Sequence, residues 1–142
     1  MSEEFIRIKH WPTDHAEKAY KNGNYIEALQ VLHGWIESNL QGLFHLYGVI
    51  DCNQDSKKIW DIVNQINLIN VTKVLYILNV LSEDEYQQSI KFNGLRNQLI
   101  HKIFHDPYEK IYTGISKKEY DNVFKQGLKL ADIIRLKAEE KV

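Results

Sequence analysis

Between Pro12 and Pro107 the apolar residues recur at three- and four-residue steps almost without interruption, the spacing of amphipathic helices. The clearest stretch runs from Tyr25 to Ile50. There Tyr25, Ala28, Leu29, Leu32, Trp35, Ile36, Leu43, Leu46, Tyr47 and Ile50 fall on one broad stripe, which predicts a helix with one face against a core. A short helix precedes it, over roughly Asp14 to Asn22, with Thr13 or Asp14 as its cap and Asn22-Gly23-Asn24 as the turn that follows. A third helix is predicted from Lys57 to Leu81, capped by Asp55 or Ser56. It is rich in β-branched residues and Asn, which places a break near Asn67–Asn70. Ser82-Glu83-Asp84-Glu85 reads as a capping box that opens a fourth helix. That helix ends near His105-Asp106, because proline disfavours helix in the residue before it. Tyr108 to Gly114 reads as a loop. Ser116-Lys117-Lys118-Glu119 is a second capping box, and it opens a last helix with Tyr120, Val123, Phe124, Gly127, Leu130, Ala131 and Ile134 on one face.

The two ends depart from this pattern. Residues 1–12, where Phe5-Ile6-Arg7-Ile8 alternates weakly before Trp11-Pro12, read as an extended arm, and residues 137–142 as a charged, frayed tail. Five helices with mostly short connections predict an all-α fold: one domain over residues 1–142, an antiparallel up-and-down bundle of four to five helices. The stretch Ala16 to Leu29 also carries the Gly-x-Tyr-x-x-Ala spacing of a tetratricopeptide unit. Only one such unit is visible, and a solenoid needs at least three.

Composition changes this picture little. With 142 residues, 44% apolar and 26% charged, the chain has a globular profile and enough length for a core. Its net charge of -1 argues against a broadly basic nucleic-acid surface, so any RNA site must be local or built by assembly. The single cysteine, Cys52, excludes an intrachain disulfide and fits a reducing compartment. The N-terminus is acidic, without the apolar core of a signal peptide, and no apolar run nears the ~20 residues of a membrane span. A cytoplasmic location with no membrane partner is the expectation.

The candidate chemistry is concentrated in Arg96-Asn97-Gln98-Leu99-Ile100-His101, with His105 one turn later. Arginine offers a permanent charge and a forked set of donors suited to phosphate. Histidine offers a proton that moves near neutral pH. On a helix Asn97, His101 and His105 stack on one face, each about 40° from the next, whereas Arg96 lies about 140° from His101. The long arginine wraps around the helix, or the helix is distorted beside Gly94, or a symmetric interface brings in a second copy of the chain. Singly, an arginine here is an ordinary solvated or ion-paired charge and a histidine an ordinary structural group. His101 and His105 have the step of a helical metal pair. Only Asp106 stands nearby in register, however, and no Glu adjoins His101 as in zinc proteases, so no metal and no cofactor is expected.

Arg96-Asn97-x-x-x-His101 resembles the signature of the HEPN domains (higher eukaryotes and prokaryotes nucleotide-binding), in which an Arg and a polar residue precede a His by four to six positions. The stretch Ala16 to Leu43 is similar to the first helical hairpin of that family, with Gly23 in the turn, Ala28 in the second helix and Glu37 beyond it. The resemblance implies a HEPN-like bundle, usually dimeric, whose motif helices share a cleft. It implies a metal-independent endoribonuclease of toxin–antitoxin or defence systems, with RNA as substrate and an antitoxin or other protein as a further partner. Other members have lost the chemistry and act as modules that bind a partner protein or a nucleotide. Carried onto this chain, His101 is the acid/base, Arg96 neutralises the charge of the transition state, and Asn97 orients the histidine or the phosphate. HepT-like toxins carry Tyr two residues after the His. Ile103 stands there in this chain, so nothing tied to that Tyr is carried over. His105, Tyr108, Lys110 and Tyr112 are candidates for touching a substrate strand, from their place just after the motif. Trp11, Trp35 and Trp60 read as packing anchors, and Lys57-Lys58 and Lys117-Lys118 as solvated basic pairs.

Overall fold

The computed structural model describes residues 2–103 and 115–142. Six helices, α1 (Pro12–Lys21), α2 (Tyr25–Ile50), α3 (Ser56–Val63), α4 (Leu68–Ile77), α5 (Glu83–Ile103) and α6 (Lys117–Lys141), form a helical bundle with no strand among the described residues.

The helix α2 is the axle of the bundle and packs against all five others. At 1.5 Å per residue it is about 39 Å long. Leu29, Leu32, Ile36 and Leu43 of its predicted stripe are buried, as is Leu40, and each such side chain contributes about 1.5–3 kcal/mol of transfer free energy. The predicted face of α6 is buried as well. Its Gly127 marks the closest approach in the core. A Cβ there would stand 2.5 Å from a ring carbon of Phe92 and 2.7 Å from a methyl of Leu32, so only glycine lets α6 seat against α2 and α5.

The expectations of element boundaries need four corrections. First, α1 starts at Pro12, with Trp11 in the cap position and no side-chain cap, rather than behind Thr13 or Asp14. Proline suits this first position because its missing N–H is one that a helix start leaves unpaired. Trp11 is instead fixed by its ring, edge-on to Trp35 at 5.1 Å. Second, the break expected near Asn67–Asn70 does divide the predicted third helix in two, but it falls a few residues earlier, between Val63 and Leu68. The Asn67 side chain accepts from the Asn70 N–H at 3.0 Å and caps α4, while Gln41 of α2 donates to the Ile66 carbonyl at 2.8 Å and holds the corner. Third, α4 ends at Ile77, not Leu81, and Asn79 follows with a positive φ of 60°. Fourth, the tail is helical to Lys141. Lys137 pairs with Glu85 at 3.1 Å, and Lys141 pairs with Asp51 and lies over the Tyr47 ring.

The capping signals hold. Ser82 and Glu85 exchange both bonds of the capping box, at 3.1 and 2.7 Å, and the Ser116 hydroxyl accepts from the Glu119 N–H at 3.1 Å. The predicted end of the fourth helix near His105 and the loop from Tyr108 to Gly114 lie outside the described residues. Among the described residues no helix is long and apolar enough to cross a membrane.

Candidate functional site

α5 is helical without a break through Gly94, so no distortion brings Arg96 round to His101. The two residues lie on different faces, as the five-residue step requires. Arg96 is half-buried and turned onto α2, whereas Asn97 and His101 are exposed. Among the described residues neither Asn97 nor His101 has a hydrogen-bond partner. His105, Tyr108, Lys110 and Tyr112 lie outside the described residues.

The guanidinium of Arg96 sits in the seam between α2 and α5. Its Nη2 lies 2.8 Å from His33 Nε2 and 3.3 Å from Nδ1, and its Nη1 reaches Gln30 Oε1 at 3.4 Å. His33 Nε2 is also 2.8 Å from Asn93 Oδ1. A neutral imidazole nitrogen carries either a proton or a lone pair. With the proton, Nε2 donates to Asn93 Oδ1, and Nδ1 accepts from Arg96 Nη2 at 3.3 Å. With the lone pair, Nε2 accepts from Arg96 but faces Asn93 Oδ1, a second acceptor, with no proton between them. Burial holds His33 below its ordinary value of 6.5, the Arg96 cation adds to this, and Asn93 and Glu37 oppose it. The ring is therefore neutral at pH 7. Phe92 stacks beside it, with ring centres 6.1 Å apart.

Among the described residues every group hydrogen-bonded to the arginine is thus uncharged. Among the described residues no carboxylate lies within ion-pairing distance of it, and its Nε is buried with no hydrogen-bond partner. Glu37 acts on it only through space, favouring its charge against the desolvation that lowers its pKa. The Glu37 carboxylate is occupied elsewhere, accepting the Leu68 N–H at 2.9 Å at the start of α4. A guanidinium held among neutral dipoles keeps its full charge for an anion that arrives from solvent.

His33, Asn93 and Gln30 were not among the residues singled out from the sequence. The available signal was a polar interruption of an apolar stripe: His33 next to Leu32 on α2, and Asn93 next to Phe92 on α5. The role of orienting a histidine, expected of Asn97, is filled for His33 by Asn93, one turn earlier. Of the tryptophans, Trp11 and Trp35 pack on each other, while Trp60 is 40% exposed and edge-on to His45. Among the described residues no group of three His, Cys, Asp or Glu side chains is gathered for a metal ion. No family model, no curated protein and no solved structure matches the chain.

Proposed function

We propose that the chain is a metal-independent endoribonuclease of the HEPN type, in which Arg96 of one protomer and His101 of a second copy face the same RNA phosphate. One observation carries the reading: a half-buried arginine with no carboxylate partner among the described residues, five residues from an exposed histidine. The 2′-hydroxyl is a nucleophile that the substrate itself holds next to the phosphorus, so the protein needs to move protons and stabilise charge. His101 takes the 2′-hydroxyl proton as the oxygen attacks phosphorus, or returns a proton to the departing 5′-oxygen. Arg96 donates to the non-bridging oxygens as negative charge builds on them. His33 and Asn93 hold the guanidinium in place, and Asn97 lines the exposed face beside His101. A toxin or defence setting, with an antitoxin as protein partner, belongs to this reading through the HEPN resemblance.

A second reading is favoured by the inward turn of Arg96 and by the net charge of -1. In it the chain is a catalytically silent helical module that binds a partner protein or a nucleotide. Cleavage of labelled RNA in EDTA separates the two. The ribonuclease reading expects cleavage by the wild type and its loss in His101→Ala and Arg96→Ala. Absence of cleavage by the wild type, or equal cleavage by the variants, leaves the silent module.

A further inference from the structure

A second cationic feature lies at the start of α2, where Glu27 stands less than two turns before His33. The arm (residues 2–11), α1 and the start of α2 border an open cleft of about 260 Å³, lined among others by Arg7, Lys9, His15, Lys18, Asn24 and Glu27. Three permanent cations converge here. None of Arg7, Lys9 or Lys18 has a carboxylate within ion-pairing distance among the described residues, and Arg7 makes only a contact with the Phe5 ring at 5.9 Å. The carboxylate in the cleft, Glu27, is already engaged by His15 at 3.1 Å. Asn24 occupies the cap position of α2, yet its side chain makes no capping bond and is left to the cleft. Three cations against the single carboxylate of Glu27 leave the cleft with an excess of positive charge, which an arriving anion relieves.

We propose that this cleft binds phosphate groups, carried either by a single-stranded RNA backbone or by a free polyphosphate such as that of a nucleotide. Its place fits the strand. Glu27 and Gln30 share one face of α2, and His33 is six residues, about 9 Å of helix rise, beyond Glu27. A chain of phosphates seated in the cleft thus runs toward the seam that holds Arg96. The proposal stands apart from cleavage, since it concerns binding by residues that take no part in proton transfer.

The test uses full-length His101→Ala protein, so that no cleavage intervenes, with two probes: a short fluorescein-labelled oligouridylate and inorganic triphosphate. Arg7→Gln, Lys9→Gln and Lys18→Gln are combined in one variant. Lys73→Gln, Lys125→Gln and Lys129→Gln, exposed lysines elsewhere, make a control with the same change of net charge. Circular dichroism confirms that both remain helical. The cleft variant is expected to lose tenfold or more in affinity at low salt. Its slope of log affinity against log salt for the oligonucleotide should be shallower by about 2, three contacts at roughly 0.7 each. The control should bind as the parent does. Binding of the oligonucleotide alone identifies the strand as ligand, and equal binding of triphosphate identifies a free polyphosphate. The proposal is overturned if neither probe binds the parent, if the cleft variant binds as the parent does, or if the control loses as much.

Discussion

Two polar clusters tie helices together in this bundle, and they handle charge in opposite ways. Tyr20, Lys117 and Asp121 join α1 to α6. Tyr20 donates to Asp121 at 2.5 Å, and Lys117 donates to both, at 2.9 and 3.0 Å. The Tyr20 hydrogen bond and then Lys117 hold the Asp121 carboxyl below its ordinary value, and the Tyr20 bond and then Asp121 hold Lys117 above its own. Cation meets anion, and the cluster is complete. The second cluster, Gln30, His33, Asn93 and Arg96, joins α2 to α5 with a cation and, among the described residues, no anion in contact. A cluster that served only to hold two helices together would do better with a carboxylate at Gln30 or Asn93, because breaking or omitting one side of a partly buried pair leaves an uncompensated charge. The difference separates a charge-balanced latch from a cluster whose cation has no carboxylate in contact among the described residues.

The largest effect expected of this difference is on RNA cleavage. Arg96→Ala and His101→Ala each lower the rate in EDTA by about 10²–10⁴-fold, whereas Lys117→Met, in the complete cluster, leaves it unchanged. Equal losses at both clusters, measured with the same labelled RNA, would erase the distinction. Next comes Gly127→Ala, which presses on Phe92, the ring beside His33. Overpacking of this kind costs about 1–3 kcal/mol in urea unfolding, and cleavage falls with it as the seat of Arg96 shifts.

The pH dependence of stability is a smaller effect with a definite sign. His33 has a folded pKa below its unfolded value of 6.5, so the folded state binds fewer protons than the unfolded state. Its contribution is fully present above about pH 6.5 and is lost as pH falls through the folded value. Denaturant midpoints should therefore drop below pH 6.5 in the wild type, with that component absent in His33→Gln. A slope unchanged by the substitution would show that the ring is not buried neutral against Arg96. Least of all, Asp121→Asn should lower the thermal midpoint slightly and remove part of its sensitivity to salt, as expected of an exposed pair.

Local pattern made much of the bundle legible in the sequence. The bounds of α2, the Ser82–Glu85 box and the buried face of α6 follow from spacing within one segment. The corner between α3 and α4 was half legible: the asparagines marked it, but Gln41, which fixes it, lies on another helix. The Arg96–His101 offset was legible too, since it is a rotation along one helix. The seat of Arg96 was not. His33 and Asn93 are 60 positions apart and meet only because α2 and α5 pack, and a single polar residue in an apolar stripe does not announce its partner. The tail misled for a similar reason, because its order comes from Lys137 and Lys141 pairing with Glu85 and Asp51 on distant segments.

The central claim is that Arg96 and His101, on different faces of one helix, act together across two copies of the chain. Subunit mixing tests it directly. Arg96→Ala and His101→Ala proteins, each inactive alone, are mixed under conditions that allow exchange, and RNA cleavage is measured in EDTA. If each site takes Arg96 from one copy and His101 from the other, half the dimers are mixed and each of these carries one complete site of two, so activity returns to about a quarter of the wild type. If mixing restores nothing while exchange is verified by mass, the two residues do not share a site across the dimer, and the account fails.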